Sequence, residues 1–378
     1  MSPPSPSPPS PGVLFATGFR PFFLLAATCG LVAPLAWVAL LTGHAVPLGA
    51  LPAVHWHVHE MVLGFAGAVV AGFLLTAVQN WTGERTAGGP ALALLAALWV
   101  VARVHGVVDL GFVGTALDLA FFPALALAIA RPLWRTGNRR NALFPPLLLV
   151  LAGADLGLHM GADPRWLGPV AIDAVAIMLV LVGGRIVPLF TRNALGVQPT
   201  RRPWLDHLST WSVGGVLVGD LLGLPGLGLL LLSGAANLAR LAGWGGLHTR
   251  HAPILWVLHL GYLWTALGLG ARGVAHLGGM PASAAVHLLA VGGIGTLSLG
   301  MMARVALGHT GRRLVAPAPM GLAFLAVSAS ALARALWSTQ PHPWLLWASA
   351  GALSASFAIY LARYTGILVT PRADGRPG

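Results

Sequence analysis

The sequence predicts an all-α fold, a polytopic transmembrane bundle of about twelve helices with both termini in the cytoplasm. Three observations predict it. Only 8% of the 378 residues are charged and 56% are hydrophobic, with a mean hydropathy of +0.78, whereas a soluble domain carries about 25% charged residues. Apolar runs close to the roughly 20 residues that cross a bilayer follow one another along the whole chain. The arginines, finally, alternate in density from one connecting loop to the next.

The apolar runs cover approximately residues 21–43, 57–79, 90–109, 112–132, 141–161, 166–190, 205–223, 225–247, 252–273, 283–307, 317–337 and 343–366. Before them, residues 1–12 form a Pro/Ser stretch with nothing apolar to bury, which is expected to be disordered. Residues 13–370 are expected to form one membrane domain, and 371–378 a short tail. The start lacks the charged region and small-residue cleavage site of a signal peptide, so the first run is expected to stay as an anchor. A single cysteine, Cys29, excludes an internal disulfide or a CxxC site.

Orientation follows from arginine, because the chain contains no lysine. Even-numbered loops carry Arg85, then Arg131, Arg135, Arg139 and Arg140, then Arg192, Arg201 and Arg202, then Arg250, then Arg312 and Arg313. Odd-numbered loops carry only Arg165 and Arg272. The positive-inside bias places the even loops in the cytoplasm. Arginine in short loops between apolar runs serves orientation, so a nucleic-acid partner is not expected; the partner is the lipid bilayer. Acids gather on the other side: Glu60, Asp109, Asp118, Asp155, Asp163, Asp173 and Asp220 fall in the outer half, with most of the histidines. Ionisable groups inside a membrane are costly and mark function.

Four stretches carry candidate chemistry. HWHVHEM puts His55, His57, His59 and Glu60 at the start of the second run. Neutral imidazole is a common metal ligand, and a neighbouring carboxylate can fix its tautomer; the competing reading is a polar belt wetting a helix end. VGGRIVPLFTRN ends the sixth run. Its Arg185 suits either a haem propionate or a snorkel to the headgroups, Gly183 and Gly184 admit a close neighbour, and Pro188 is expected to break the helix. In the ninth run His259 lies deep enough to need a partner, whether haem iron, a proton relay or a bond to a neighbouring helix.

The tenth run has His287 and His309 at its two ends, about 33 Å apart along one helix, so they cannot share a metal. Between them Gly292, Thr296 and Gly300 form a small-residue stripe that predicts tight packing, and Arg304 repeats the Arg185 theme near the inner surface. Met301 and Met302 read either as soft copper ligands or as apolar filler. There is no P-loop, GxSxG, CxxCH or HExxH, and no ferredoxin cysteine pattern.

LFATGFRPFF, WHVHEMVLGFAGAVVAGFLLTAVQNWTG, GGRIVPLFTRN, HLGYLW and HLLAVGGIGTLSLGMMARVALGHTGR together resemble the NnrS family. The strings run from the first helix to beyond the tenth. The resemblance implies a twelve-helix bacterial inner-membrane protein containing haem b, held without covalent attachment, and copper. It further implies a link to denitrification and to the response to nitric oxide, a candidate ligand. The family pattern falls on Trp56, His57, His59, Glu60 and Met61, on Arg185 and Pro188, on His259, and on His287, Arg304 and His309; His55 looks like an addition of this sequence.

The metal ligands expected on this basis are His57, His59, His259, His287 and His309, with Arg185 and Arg304 assisting cofactor binding. Four of those histidines, His57, His59, His259 and His287, are expected to converge on a shared interior. Glu60, Asp155 and Asp173 are expected to support them or to route protons. The alternative function is a proton-coupled transporter that uses buried His, Asp and Arg.

Overall fold

In lipid each backbone polar group must find its partner inside the chain, and a helix does this within one segment. The computed structural model describes residues 11–376 apart from 45 and 225; the first ten residues of the Pro/Ser stretch lie outside the described residues. Within it every apolar run is a helix: α1 Phe19–Leu41, α2 Ala53–Thr82, α3 Pro90–His105, α4 Gly111–Arg135, α5 Arg139–His159, α6 Pro164–Leu195, α7 Pro203–Leu221, α8 Leu227–Ala242, α9 Pro253–His276, α10 Ala282–His309, α11 Pro319–Trp337 and α12 Pro343–Val369. Nine of the described helices are long and apolar enough to cross a membrane; α3 and α8 are shorter apolar helices. Loop n follows helix n below.

Local signals place the ends. Proline opens α3, α6, α7, α9, α11 and α12, where its missing N–H costs nothing and its fixed φ suits a first turn. Glycines in the left-handed conformation close α2 (Gly83, φ 71°) and α6 (Gly196, φ 71°). Pro188 does not break α6, contrary to the expectation from sequence. The helix runs through it to Leu195, since a membrane helix tolerates an internal proline where its neighbours and small backbone adjustments re-satisfy the freed groups.

Packing puts three helices at the centre. α2 is the most enclosed, with 89% of its apolar stretch buried, followed by α6 and α10 at 72%. Small residues allow this closeness. A Cβ on Gly261 would fall 2.6 Å from the Leu297 nitrogen, and one on Gly268 would fall 2.6 Å from the Leu289 Cα. The expected stripe behaves the same way, with Gly292 against Trp264 and Gly300 against Val257 and Leu258. α9 and α10 therefore run antiparallel at near backbone contact. Met301 and Met302 are buried in this apolar core.

Candidate metal centre

The first candidate centre is built around the start of α2. Pro52 stands before the first turn, and the backbone winds as a π-helix from His59 to Ala66. α10 repeats the device, with a π-helix over Leu288–Gly295 directly after His287, and the two π segments touch. Such wide turns are rare and cluster at functional sites. His57 and His59 leave α2 on opposite sides, His57 towards α1 and α10, His59 towards α4 and α5.

His59 is completely buried among Glu60, Arg103 of α3, Asp118 of α4, and Asp155 and His159 of α5. Its Nδ1–H donates to Glu60 Oε1 (3.0 Å), which points Nε2 at the two aspartates, 2.9 Å from Asp118 Oδ2 and 3.4 Å from Asp155 Oδ1. His159 Nε2 lies 3.1 Å and 3.9 Å from the same two oxygens. One donor atom from each of His59, Asp118, Asp155 and His159 lies within 4.8 Å of all the others. Four donors about 2 Å from a tetrahedral ion stand about 3.3 Å apart, and the observed separations bracket that value.

Charge points the same way. Glu60 takes an ion pair from Arg103 at 3.0 Å, and Arg103 also reaches Asp118 at 3.9 Å. With neutral imidazoles, three carboxylates face one guanidinium, which leaves two negative charges in a buried space. Both oxygens of Asp155 are buried without a hydrogen-bond donor among the described residues. Uncompensated buried charge is strongly unfavourable, so the site calls for a dication or for two protons on its histidines. His105 closes the cluster without joining it: its Nδ1 accepts from the Leu110 N–H (3.0 Å), and its Nε2–H donates to Thr115 Oγ1 (3.0 Å).

On the other side of α2, the rings of His57 and His287 are 6.1 Å apart and 19° from parallel, and Trp37 stacks on His57 at 4.1 Å. His287 Nδ1–H donates to the Ser283 carbonyl (2.7 Å), which frees its Nε2. His57 Nδ1 is buried without a hydrogen-bond partner among the described residues. Two imidazoles that bind one metal from opposite sides at about 2 Å have ring centres about 6 Å apart. Arg334 of α11 donates to Ser283 Oγ (3.1 Å), bringing a cation beside this pair.

Residues 13–372 match the family profile described as "NnrS protein". The chain belongs to the NnrS family. No curated protein matches it.

In this NnrS-family chain the remaining expected residues lie elsewhere. The four histidines expected in a shared interior do not converge: His57 meets His287, His59 faces the opposite side of α2, and His259 is with none of them. Gly261 and Gly268 fix the register of α9 on α10 and put His259 about 17 Å along the bundle from the level of His287. There its Nε2–H donates to Thr191 Oγ1 (2.8 Å), and its Nδ1 faces the backbone at Gly246. Arg185 lies about 25 Å along α6 from Gly168, which packs on Val58; it donates to Asn141 Oδ1 (2.6 Å). Gly183 and Gly184 admit the Tyr262 ring and the Arg240 guanidinium.

Arg304 stacks on Phe190 (3.8 Å), and the His309 ring lies 5.6 Å from that of Phe19. Asp173 pairs with Arg272, which also binds Asp220 (2.6 Å). His55 donates to the Ala162 carbonyl (3.1 Å). Three residues of the His59 cluster were not singled out from the sequence, namely Arg103, Asp118 and His159. A lone acid inside an apolar run (Asp118) and a DLGLH i, i+4 pair (Asp155 and His159) were the available signals.

Proposed function

We propose that this protein binds copper and haem b in the bacterial inner membrane and serves the nitric oxide and nitrosative-stress response associated with denitrification. The observation that carries the metal part is the buried quartet of His59, Asp118, Asp155 and His159, with its donor spacing and two unbalanced negative charges. Two imidazoles and two carboxylates are a donor set that Cu(II) accepts, and copper binds such sites most tightly among first-row dications. Family membership supports the choice of copper and of haem b.

His57, with its orphaned Nδ1, and His287, anchored through Ser283, are the residues that would hold haem iron. Bound to these residues, haem would supply one-electron transfer, and copper would supply a coordination position for nitric oxide. The protein's own groups prepare both places. Glu60 holds the His59 tautomer with the lone pair on Nε2, which accepts from Arg103 Nη2 at 3.1 Å, a bond that a metal would replace. Arg103 offsets one carboxylate, and burial excludes water from the His59 centre. The arginine-rich even loops support cytoplasmic termini, with both centres at the opposite end of the bundle, facing the periplasm.

The test is the optical spectrum of detergent-purified protein, oxidised and reduced, with and without nitric oxide, together with copper analysis. A Soret band and a stoichiometric copper content are expected. Colourless, metal-free protein from metal-replete cells would assign the missing positive charges to protons and favour the proton-coupled transporter.

A further inference from the structure

At the even-loop end two concavities run into one another. A cleft of about 430 Å3 is lined by Arg140, Arg185, Arg192 and Arg201, with Asn141 and Trp81 beside them and no acidic residue. Arg201 pairs with Asp206 (2.7 Å). Among the described residues Arg140, Arg185 and Arg192 have no carboxylate partner. Arg185 is held by neutral acceptors alone, donating from Nη1 to Asn141 Oδ1 and from Nη2 to the Arg140 carbonyl (3.2 Å). Asn141 in turn donates to Asn138 Oδ1 (3.0 Å), and Asn138 donates to the Trp81 carbonyl (3.3 Å). This chain, from the end of α2 through loop 4 to α6, fixes the guanidinium without neutralising it.

The second concavity is an apolar groove. Val182 and Ile186 line both spaces, and the groove continues past Phe73, Phe144 and Met178 to Met301. No histidine lines either one. A fixed, unbalanced cluster of guanidiniums recognises phosphate oxygens, and a contiguous apolar wall recognises hydrocarbon. The depth is that of the headgroups: Trp134 and Trp204, at the same end, are 88% and 60% exposed, as tryptophans are at a membrane interface. Basic pockets between membrane helices bind anionic lipid head groups.

We infer that cleft and groove together hold one anionic phospholipid, with its phosphate on Arg140 and Arg185 and one acyl chain along the Val182 and Ile186 side of α6. The lipid belongs to the leaflet on which the arginine-rich loops lie. It ties α2, loop 4 and α6 together at the end of the bundle opposite the two candidate metal centres, and it is independent of whether those centres are filled.

The test uses the full chain. Native mass spectrometry of protein extracted in mild detergent is expected to show one retained phosphatidylglycerol per chain, falling at least tenfold in the Arg140→Gln/Arg185→Gln double variant. After delipidation, micelles containing phosphatidylglycerol are expected to raise the melting temperature, while phosphatidylcholine and 10 mM inorganic phosphate are not. Equal effects of the two lipids would overturn the inference, and so would full protection by phosphate alone. If the double variant does not fold, Arg192→Gln, exposed and outside the hydrogen-bond chain, is expected to weaken phosphatidylglycerol binding at least threefold. Val182→Trp, which fills the junction of cleft and groove, is expected to abolish binding; unchanged binding in both would sink the inference.

Discussion

His59 Nε2 lies 2.9 Å from Asp118 Oδ2, joining the most enclosed helix of the bundle to a helix on its rim. The contact is short because each partner is already held from behind. Glu60 holds the far side of the His59 ring at 3.0 Å, and Arg103 pairs with Glu60 and reaches Asp118. A proton or a metal ion can occupy the position between His59 and the aspartates, and the chemistry differs according to which one does.

Arg103 should matter for stability. Arg103→Ala leaves Glu60 and Asp118 without the guanidinium that pairs with them, and removing one partner of a buried charge pair costs about 3–5 kcal/mol. A large fall in melting temperature is the expected result, with Arg103→Lys intermediate. An unchanged melting curve would mean that the carboxylates are compensated by something else.

A second buried triad makes a parallel test at a distance from the metal centre. Arg272 sits between Asp173 and Asp220, and Asp173 is fully buried. Arg272→Ala should destabilise the fold by about 3–5 kcal/mol. Adding Asp173→Asn should recover part of that loss, because it removes one of the two stranded charges. No recovery in the double variant would show that the arginine acts through packing alone.

The two candidate centres should separate by mutation although one helix carries both. His57→Ala and His287→Ala are expected to lose the Soret band and keep the copper, while His59→Ala and His159→Ala do the reverse. Absorbance and elemental analysis of the same preparations decide it. If all four variants lost both signals together, the two sides of α2 would form a single centre.

Backbone proximity can be tested with single methyl groups. Gly261→Ala puts a Cβ 2.6 Å from the Leu297 nitrogen, so α9 and α10 must part; overpacking of this kind costs about 1–3 kcal/mol. A Cβ on Gly351 meets nothing within 4 Å, and Gly351→Ala should be neutral or stabilising by up to about 1 kcal/mol. Equal melting temperatures for the two variants would contradict the described register.

The helices were legible because each apolar run is long and is punctuated by proline, glycine or arginine, signals that act locally. Pro188 misled because its effect depends on neighbours that local sequence does not name. The same limit governs the site. His59 and Glu60 stood out as a dense polar cluster before an apolar run, and Asp155 appeared as a candidate, but the meeting of α2, α4 and α5 that makes Asp118 and His159 their companions is a matter of helix pairing. His57 and His287 were both chosen and do meet. His259 was chosen on the same grounds and lies at another level, because depth in a helix does not reveal which neighbour faces it. The π turns after His59 and His287 leave no mark in hydrophobic periodicity.

The most direct measurement is the metal content per chain of the wild type and of Asp155→Asn, which keeps the shape of a side chain whose oxygens have no donor. One copper ion per wild-type chain, lost in the variant while the haem iron and the helical circular dichroism are unchanged, is the predicted result. Wild-type protein from copper- and iron-replete cells that carries no ion, or a variant that keeps a full complement, would contradict a metal centre at His59, Asp118, Asp155 and His159.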